Sequence, residues 1–356
     1  MAATRRVTFR KPRRADDSRL ARVNSLLHWG MIHTLERDDH KLTFCDRGAT
    51  WRSWEVPGGR DILLGFETEE DYGKQDFYCG GVIGRFANRI AGASFPLHGR
   101  TVQLVPNEGP KQLHGGPEGF DRKIWSLTPG KDDQGSFLRF RLDSPDGDQG
   151  YPGKLKVEVV YRLHAGGRVT VAITGATDAP TVFSPTHHAY FNLAGEGTVH
   201  DHLVELESDF FLPADGQSLP TGEVRSVAGT ALDFRQPVRL GGVLASGDPH
   251  LHGAPCVDTC FVARGEPGQL RRIARLSGGG LELAVAATSV GFHFYTGHYI
   301  PTKPTGRGGR TFGPSAGLAI EPGFFPNSPN VPHFPTPVLL PGRTFSSLIE
   351  FVCRPA

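Results

Sequence analysis

Short alternating runs broken every few residues by glycine or proline are the strongest constraint on how this chain can fold. "LKVEVVYRL" (155–163), "RVTVAIT" (168–174) and "LELAVAA" (281–287) alternate or are β-branched, and Gly, Asp or Pro bounds each of them. Turn signals such as "SPDGDQGYPG" (144–153) and "LSGGG" (276–280) separate them. The 46 glycines and 28 prolines follow no collagen-like period and act as punctuation. No amphipathic helical pattern persists for three turns. The expectation is all-β: a large antiparallel β-sandwich, formed as one unit from about residue 31 to 356.

Residues 1–30 differ in texture. "RRVTFRKPRRADDSRLAR" is arginine-rich with little apolar periodicity, and it reads as a mobile basic extension. Asp16 and Asp17 weaken an organelle-targeting reading. Over the whole chain the formal charge is only +2, which gives no reason to expect a nucleic-acid partner. The five scattered cysteines suit a reducing compartment better than a disulfide framework. No apolar run reaches the roughly 18 residues of a membrane helix, and no secretory h-region is seen. A cytoplasmic protein is expected.

Candidate chemistry begins with "SPTHHAYFNL" (184–193). Read as a strand, it turns His187, Ala189, Phe191 and Leu193 to one face and His188, Tyr190 and Asn192 to the other. The first face suits packing and the second suits a polar cavity, so His188 is the histidine expected to do chemistry. "GVIGRFANRIAGASF" (81–95) sets Arg85, Asn88 and Arg89 among glycines, a texture suited to a ligand rich in hydroxyls or carbonyls, or to a solvated turn. "LHGG" (113–116) puts His114 in a similar setting. Glu321 ends an apolar run in "GLAIEPGFFPNSPN" (317–330), and Asp258 interrupts another in "CVDTCFV" (256–262). Buried acids of this kind need partners, and arginines are the obvious ones. His250, His252, Cys256 and Cys260 are metal-capable, but their H-x-H-x3-C-x3-C spacing is not that of a zinc ribbon or finger, and no metal is expected. P-loop, dinucleotide-binding and nucleophile-elbow motifs are absent. What remains suits proton transfer on a sugar-like molecule without a cofactor.

Seven segments in order resemble the aldose 1-epimerase (galactose mutarotase) family: "GRFANRIAGASFPLHG", "LHGG", "YPG" before a strand, "HHAYFNL", "FLPADGQSLPTGEVRSVAGTALDFR", "FYTG" and "AIEPGFFPNSPN". They span roughly residues 34–352. The resemblance implies a large β-sandwich that interconverts the α and β anomers of free aldoses such as galactose or glucose. Glu321 then matches the general base, His188 the general acid and His114 a second active-site histidine. Asn88, Arg89 and Asp258 match residues that hold sugar hydroxyls. The implied ligand is a monosaccharide, with no metal or organic cofactor and no implied oligomeric state. The chain departs from the pattern where Thr259 and Cys260 follow Asp258 in place of His and Asn. His293 stands where Gln is common, sharing a strand face with Tyr295, and His298 replaces the Asn after "YTG". These departures bear on which sugar is preferred. A sandwich that binds carbohydrate without catalysis would use Asn88, Arg89 and Asp258 equally well. A glycoside hydrolase would need Asp258 and Glu321 as its pair of carboxylates.

Overall fold

Alternation determines which strands form and what they bury. In Leu155–His164, Leu155, Val157, Val159, Tyr161 and Leu163 are buried, and the intervening residues are more exposed. Its partner Arg168–Thr177 buries Val169, Val171 and Ile173 on the same face, with Val159 paired to Ile173 and Tyr161 to Val171. In the computed structural model, which describes residues 32–251 and 255–356, these two strands belong to a nine-stranded antiparallel sheet. The strand order runs Ser126–Asp132, Gly135–Ser144, Leu155–His164, Arg168–Thr177, Thr344–Pro355, Leu281–Ala287, Arg271–Gly278, Leu203–Leu206 and Val238–Arg239. The basic segment 1–30 and His252 lie outside the described residues.

A second antiparallel sheet has six strands in the order Tyr190–Phe191, Leu318–Gly323, Gly291–Tyr295, Asp258–Val262, Phe210–Leu212 and Arg225–Ser226. A four-stranded sheet runs from His33–Arg37 to Arg60–Asp61. One continuous apolar core joins all three, drawing Val159, Val171 and Ile349 from the first sheet and Phe261, Phe292, Phe294, Leu318 and Ile320 from the second. Phe351 links them: its ring lies 5.2 Å from Phe191 of the six-stranded sheet and 5.6 Å from Trp51 of the four-stranded one. This is sheet-on-sheet packing, as expected from the alternation. Helix is confined, among the described residues, to the two short α-helices Glu69–Lys74 and Leu240–Leu244 and to short 3-10 turns.

Arg85, grouped in the sequence with Asn88 and Arg89 as a ligand-type residue, has a different task. Its side chain is buried away from the cavity described below, and it staples the turn at 144–153. Nε donates to Ser144 Oγ at 2.9 Å, Nη1 to the Pro152 carbonyl at 3.0 Å, and Nη2 to the carbonyls of Ser144 at 3.0 Å and Pro145 at 2.7 Å. Carbonyls from both ends of the turn converge on this side chain, and a planar guanidinium can satisfy several at once. Arg85→Met is expected to lower the unfolding free energy by about 3 kcal/mol, because buried carbonyls lose their donors. Urea denaturation would measure the loss.

Candidate active site

A cavity of about 450 Å³ opens on the face of the six-stranded sheet that points away from the core. Register explains its contents. Glu321 is paired with His293 across the central strands, and His293 in turn with Cys260. One row along, Tyr190, Ala319, Tyr295 and Asp258 are aligned. Directly opposed residues of an antiparallel pair project to the same side, so Glu321, His293, Tyr295 and Asp258 share a face. Their chain neighbours Phe292, Phe294 and Ile320 turn the other way, into the core.

His188 arrives from an irregular segment. The stretch 184–193 was expected to be one strand, but it is two short ones: Thr186–His187, paired with Val82–Ile83, and Tyr190–Phe191, paired with Leu318 and Ala319. Between them His188 is held by its backbone, accepting from Gly80 N–H and donating to the Gly81 carbonyl, both at 2.9 Å. The side-chain alternation survives the break. His188 and Tyr190 line the cavity, and His187 is buried between Trp51 and Tyr161 at ring distances of 5.7 and 5.6 Å. Asn192 does not line the cavity. Its Nδ2 instead donates to the carbonyls of Glu196, Gly197 and Ala316 and stitches a turn.

The third wall is a glycine-rich hairpin-like crossing. Arg89–Ile90 pairs with Gln112–Leu113, with Asn88 just before the first strand and His114 just after the second. The Asn88 N–H donates to His114 Nδ1 at 3.0 Å, and the His114 N–H donates to the Asn88 carbonyl at 3.1 Å. Asn88 and His114 both adopt left-handed backbone angles, φ +66° and +52°. Non-glycine residues hold such angles only where surrounding contacts over-determine them, which is common at functional sites. Arg89 is clamped by Glu108 through two bonds of 2.8 and 2.9 Å. The "PNSPN" loop braces the crossing from outside, Asn327 N–H donating to the Arg89 carbonyl at 2.8 Å.

His188 Nε2 lies 3.5 Å from Glu321 Oε1, and both side chains are almost fully buried. Burial holds the His188 pKa below its ordinary value, and the Glu321 charge opposes that effect. Burial holds His114 well below its ordinary value, so it is neutral near pH 7. With Nδ1 accepting the Asn88 amide, its proton sits on Nε2, which can only donate. His114, His188 and Glu321 present N and O atoms within 4.8 Å of one another, a grouping that could suit a metal. The tautomer of His114 argues against that use, since a protonated Nε2 has no lone pair to give. His293 Nε2 bonds Asp258 Oδ1 at 2.6 Å. Glu321 Oε2 is buried with no protein hydrogen-bond partner, as a group awaiting a ligand hydroxyl would be.

Seven residues singled out from the sequence (Glu321, His188, Asn88, Arg89, His114, Asp258 and His293) line this one cavity, and Arg85 and Asn192 do not. Sequence reasoning missed Tyr78, Glu108 and Tyr299, which also line it. Tyr78 stands three residues before the glycine-punctuated segment, and only its neighbourhood gave a signal. Glu108 gave none.

The family model for aldose 1-epimerase matches residues 31–352. The chain belongs to the aldose 1-epimerase family. Relatives include the galactose mutarotase of Bos taurus, 40% identical over 325 residues covering 89% of this chain and 92% of that protein. The aldose 1-epimerase of Escherichia coli K12 is 37% identical, covering 87% and 91% of the two chains. Among solved structures, an aldose epimerase homologue from C. elegans superposes with a TM-score of 0.84 at 27% identity, covering 92% of this chain and 99% of that one. The galactose 1-epimerase of Lactobacillus acidophilus gives 0.82 at 28%, covering 91% and 94%. The protein is thus an isomerase of the epimerase class, with the mutarotase β-sandwich.

Of the four departures from the aldose 1-epimerase pattern, His293 lines the cavity and Thr259, Cys260 and His298 do not. Cys260 packs with Leu212, Phe325 and Phe334, and Cys256 lies in a different apolar cluster. His250 packs edge-on against Phe211 at 5.0 Å. These placements match the expectation of a loop histidine and small apolar cysteines; His252 lies outside the described residues.

His187 yields a test of pH dependence. Burial lowers its pKa to about 3 from an ordinary 6.5. Between those values the unfolded chain binds a proton that the folded one refuses. Its contribution to stability is therefore complete above pH 6.5 and is lost as pH falls toward 3, with a slope of up to about 1.4 kcal/mol per unit. His187→Phe, which keeps the ring packing, is expected to flatten this part of the curve when denaturation midpoints are followed from pH 7 to 4.

Proposed function

We propose that this aldose 1-epimerase opens and recloses a pyranose ring with Glu321 as base and His188 as acid, on free aldoses of which galactose and glucose are the first to try. The contact between His188 Nε2 and Glu321 Oε1, 3.5 Å apart within the cavity, carries the reading. The pair works with one proton between them. In the competent form it resides on His188 and Glu321 is ionised, a division their environments must enforce.

Glu321 takes the proton from the C1 hydroxyl as the bond between C1 and the ring oxygen breaks. That bond's electrons pass to the ring oxygen, which takes the proton of His188. The product is the open-chain aldehyde. Rotation about C1–C2 presents the other carbonyl face, the ring oxygen attacks it and returns its proton to His188, and Glu321 returns its proton to O1. Atoms and charge balance over the cycle. His114, as a neutral Nε2–H donor, can hold an oxygen of the reacting sugar, and Arg89, Asn88 and the Asp258–His293 pair can hold further hydroxyls. Residues 31–356 act as a single unit in this proposal. A cytoplasmic setting is part of it too; all five cysteines are free and buried, which fits.

A hydrolase would need Asp258 as a second free carboxylate, but Asp258 is engaged by His293 at 2.6 Å. A binding protein would have no use for the His188–Glu321 contact. Glu321→Gln and His188→Asn are each expected to cut kcat by about 10²–10⁴-fold while leaving the fold intact. Polarimetry on freshly dissolved α-D-galactose and α-D-glucose measures it. Wild-type rates in either variant, or a wild type that binds sugar without speeding the change in rotation, would refute the assignment.

A further inference from the structure

His188 is enclosed by rings. Tyr190 lies 4.9 Å from it, tilted by 41°, and Tyr78 lies 6.0 Å away in a stacked orientation, at 27°. His114 meets it edge-on at 5.3 Å, and Tyr78 packs in turn against His114 at 4.4 Å. The two tyrosine walls are tied together, since the Tyr190 hydroxyl donates to the carbonyl of Phe77, the residue before Tyr78. Tyr78 is held at φ +61°, a conformation costly for a side-chain-bearing residue, with its carbonyl accepting from Gly81 N–H at 3.2 Å. This packing directs an aromatic face at the histidine.

We propose that Tyr78 and Tyr190 form an aromatic cage that orients the His188 ring and favours its protonated state, which makes Tyr78 a positioning residue for the reaction. Aromatic faces are electron-rich and attract a cation lying over them, more so away from water. The acid needs such help. Burial works against the imidazolium of His188, and Glu321 is the closest group that works for it. The other titratable groups facing it are His293 and Asp258 from the six-stranded sheet and His114 from the crossing, while His187, next in the chain, turns to the opposite side. Burial raises the phenols of Tyr78 and Tyr190, so both stay neutral and act through their faces.

The inference rests on His188 being the acid, and the test separates the two ideas. The His188 ring is followed by NMR titration in labelled protein, its signal assigned by its loss in His188→Asn, beside the pH profile of kcat/KM. Tyr78→Phe keeps the face and is expected to titrate like the wild type. Tyr78→Leu, and Tyr78→Met as a second space-filling variant, are expected to lower the His188 midpoint by about half a pH unit and move the alkaline limb of kcat/KM with it, about a threefold loss above the limb. An unchanged midpoint in folded Leu and Met variants would overturn the cage. So would a Phe variant that shifts as much as Leu, since the hydroxyl would then be responsible. A shifted midpoint with an unshifted rate profile would uphold the cage and overturn His188 as the acid.

Discussion

Glu321 and His293 face each other across an antiparallel pair, and the site depends on that register. Their neighbours Ile320, Phe292 and Phe294 are turned the opposite way into the core. A slip of one residue would drive a carboxylate and an imidazole into the core and expose two phenylalanines, so the hydrophobic core itself specifies where the site residues point. Asp258 and Tyr295 are placed by the same rule one row along. The face that lines the cavity is thus the reverse side of a packed layer, and it inherits the rigidity of that layer.

The elements that bring the remaining groups are less regular. His188 sits between two short strands, and Asn88 and His114 adopt left-handed backbone angles beside a two-residue strand pair. Local irregularity here is offset by a dense set of backbone hydrogen bonds: Gly80 and Gly81 to His188, Asn88 to His114, Asn327 to Arg89. The regular sheet supplies Glu321, and the irregular segments supply His188, Asn88 and His114. The 3.5 Å contact between His188 and Glu321 is where the two systems meet. Burial on both sides of that contact makes the location of a single proton sensitive to every nearby charge and ring.

Much of this was legible in the chain. Gly and Pro punctuation with period-two alternation pointed to a sandwich, and parity chose His188 over His187 even though the segment is not one continuous strand. The motifs located seven of the residues that line the cavity. Arg85 misled, because a guanidinium that satisfies buried turn carbonyls reads in sequence like one that awaits a ligand. Asn192 misled for a related reason, since its amide is taken up by the carbonyls of Glu196, Gly197 and Ala316. Tyr78 and Glu108 were not found, because their roles come from what stands next to them in space.

The sequence by itself determined the class of fold, the face on which each strand residue lies, and the inventory of acids, bases and hydroxyl-holding groups. These follow from local rules: strand periodicity, turn chemistry and the titration range of each side chain. Only the tertiary structure decided which of those groups meet. The tautomer of His114, the engagement of Asp258 by His293, the clamping of Arg89 by Glu108 and the rings around His188 all arise between residues far apart in the chain. Such pairings depend on how separate sheets and loops pack against one another, and no local pattern encodes that.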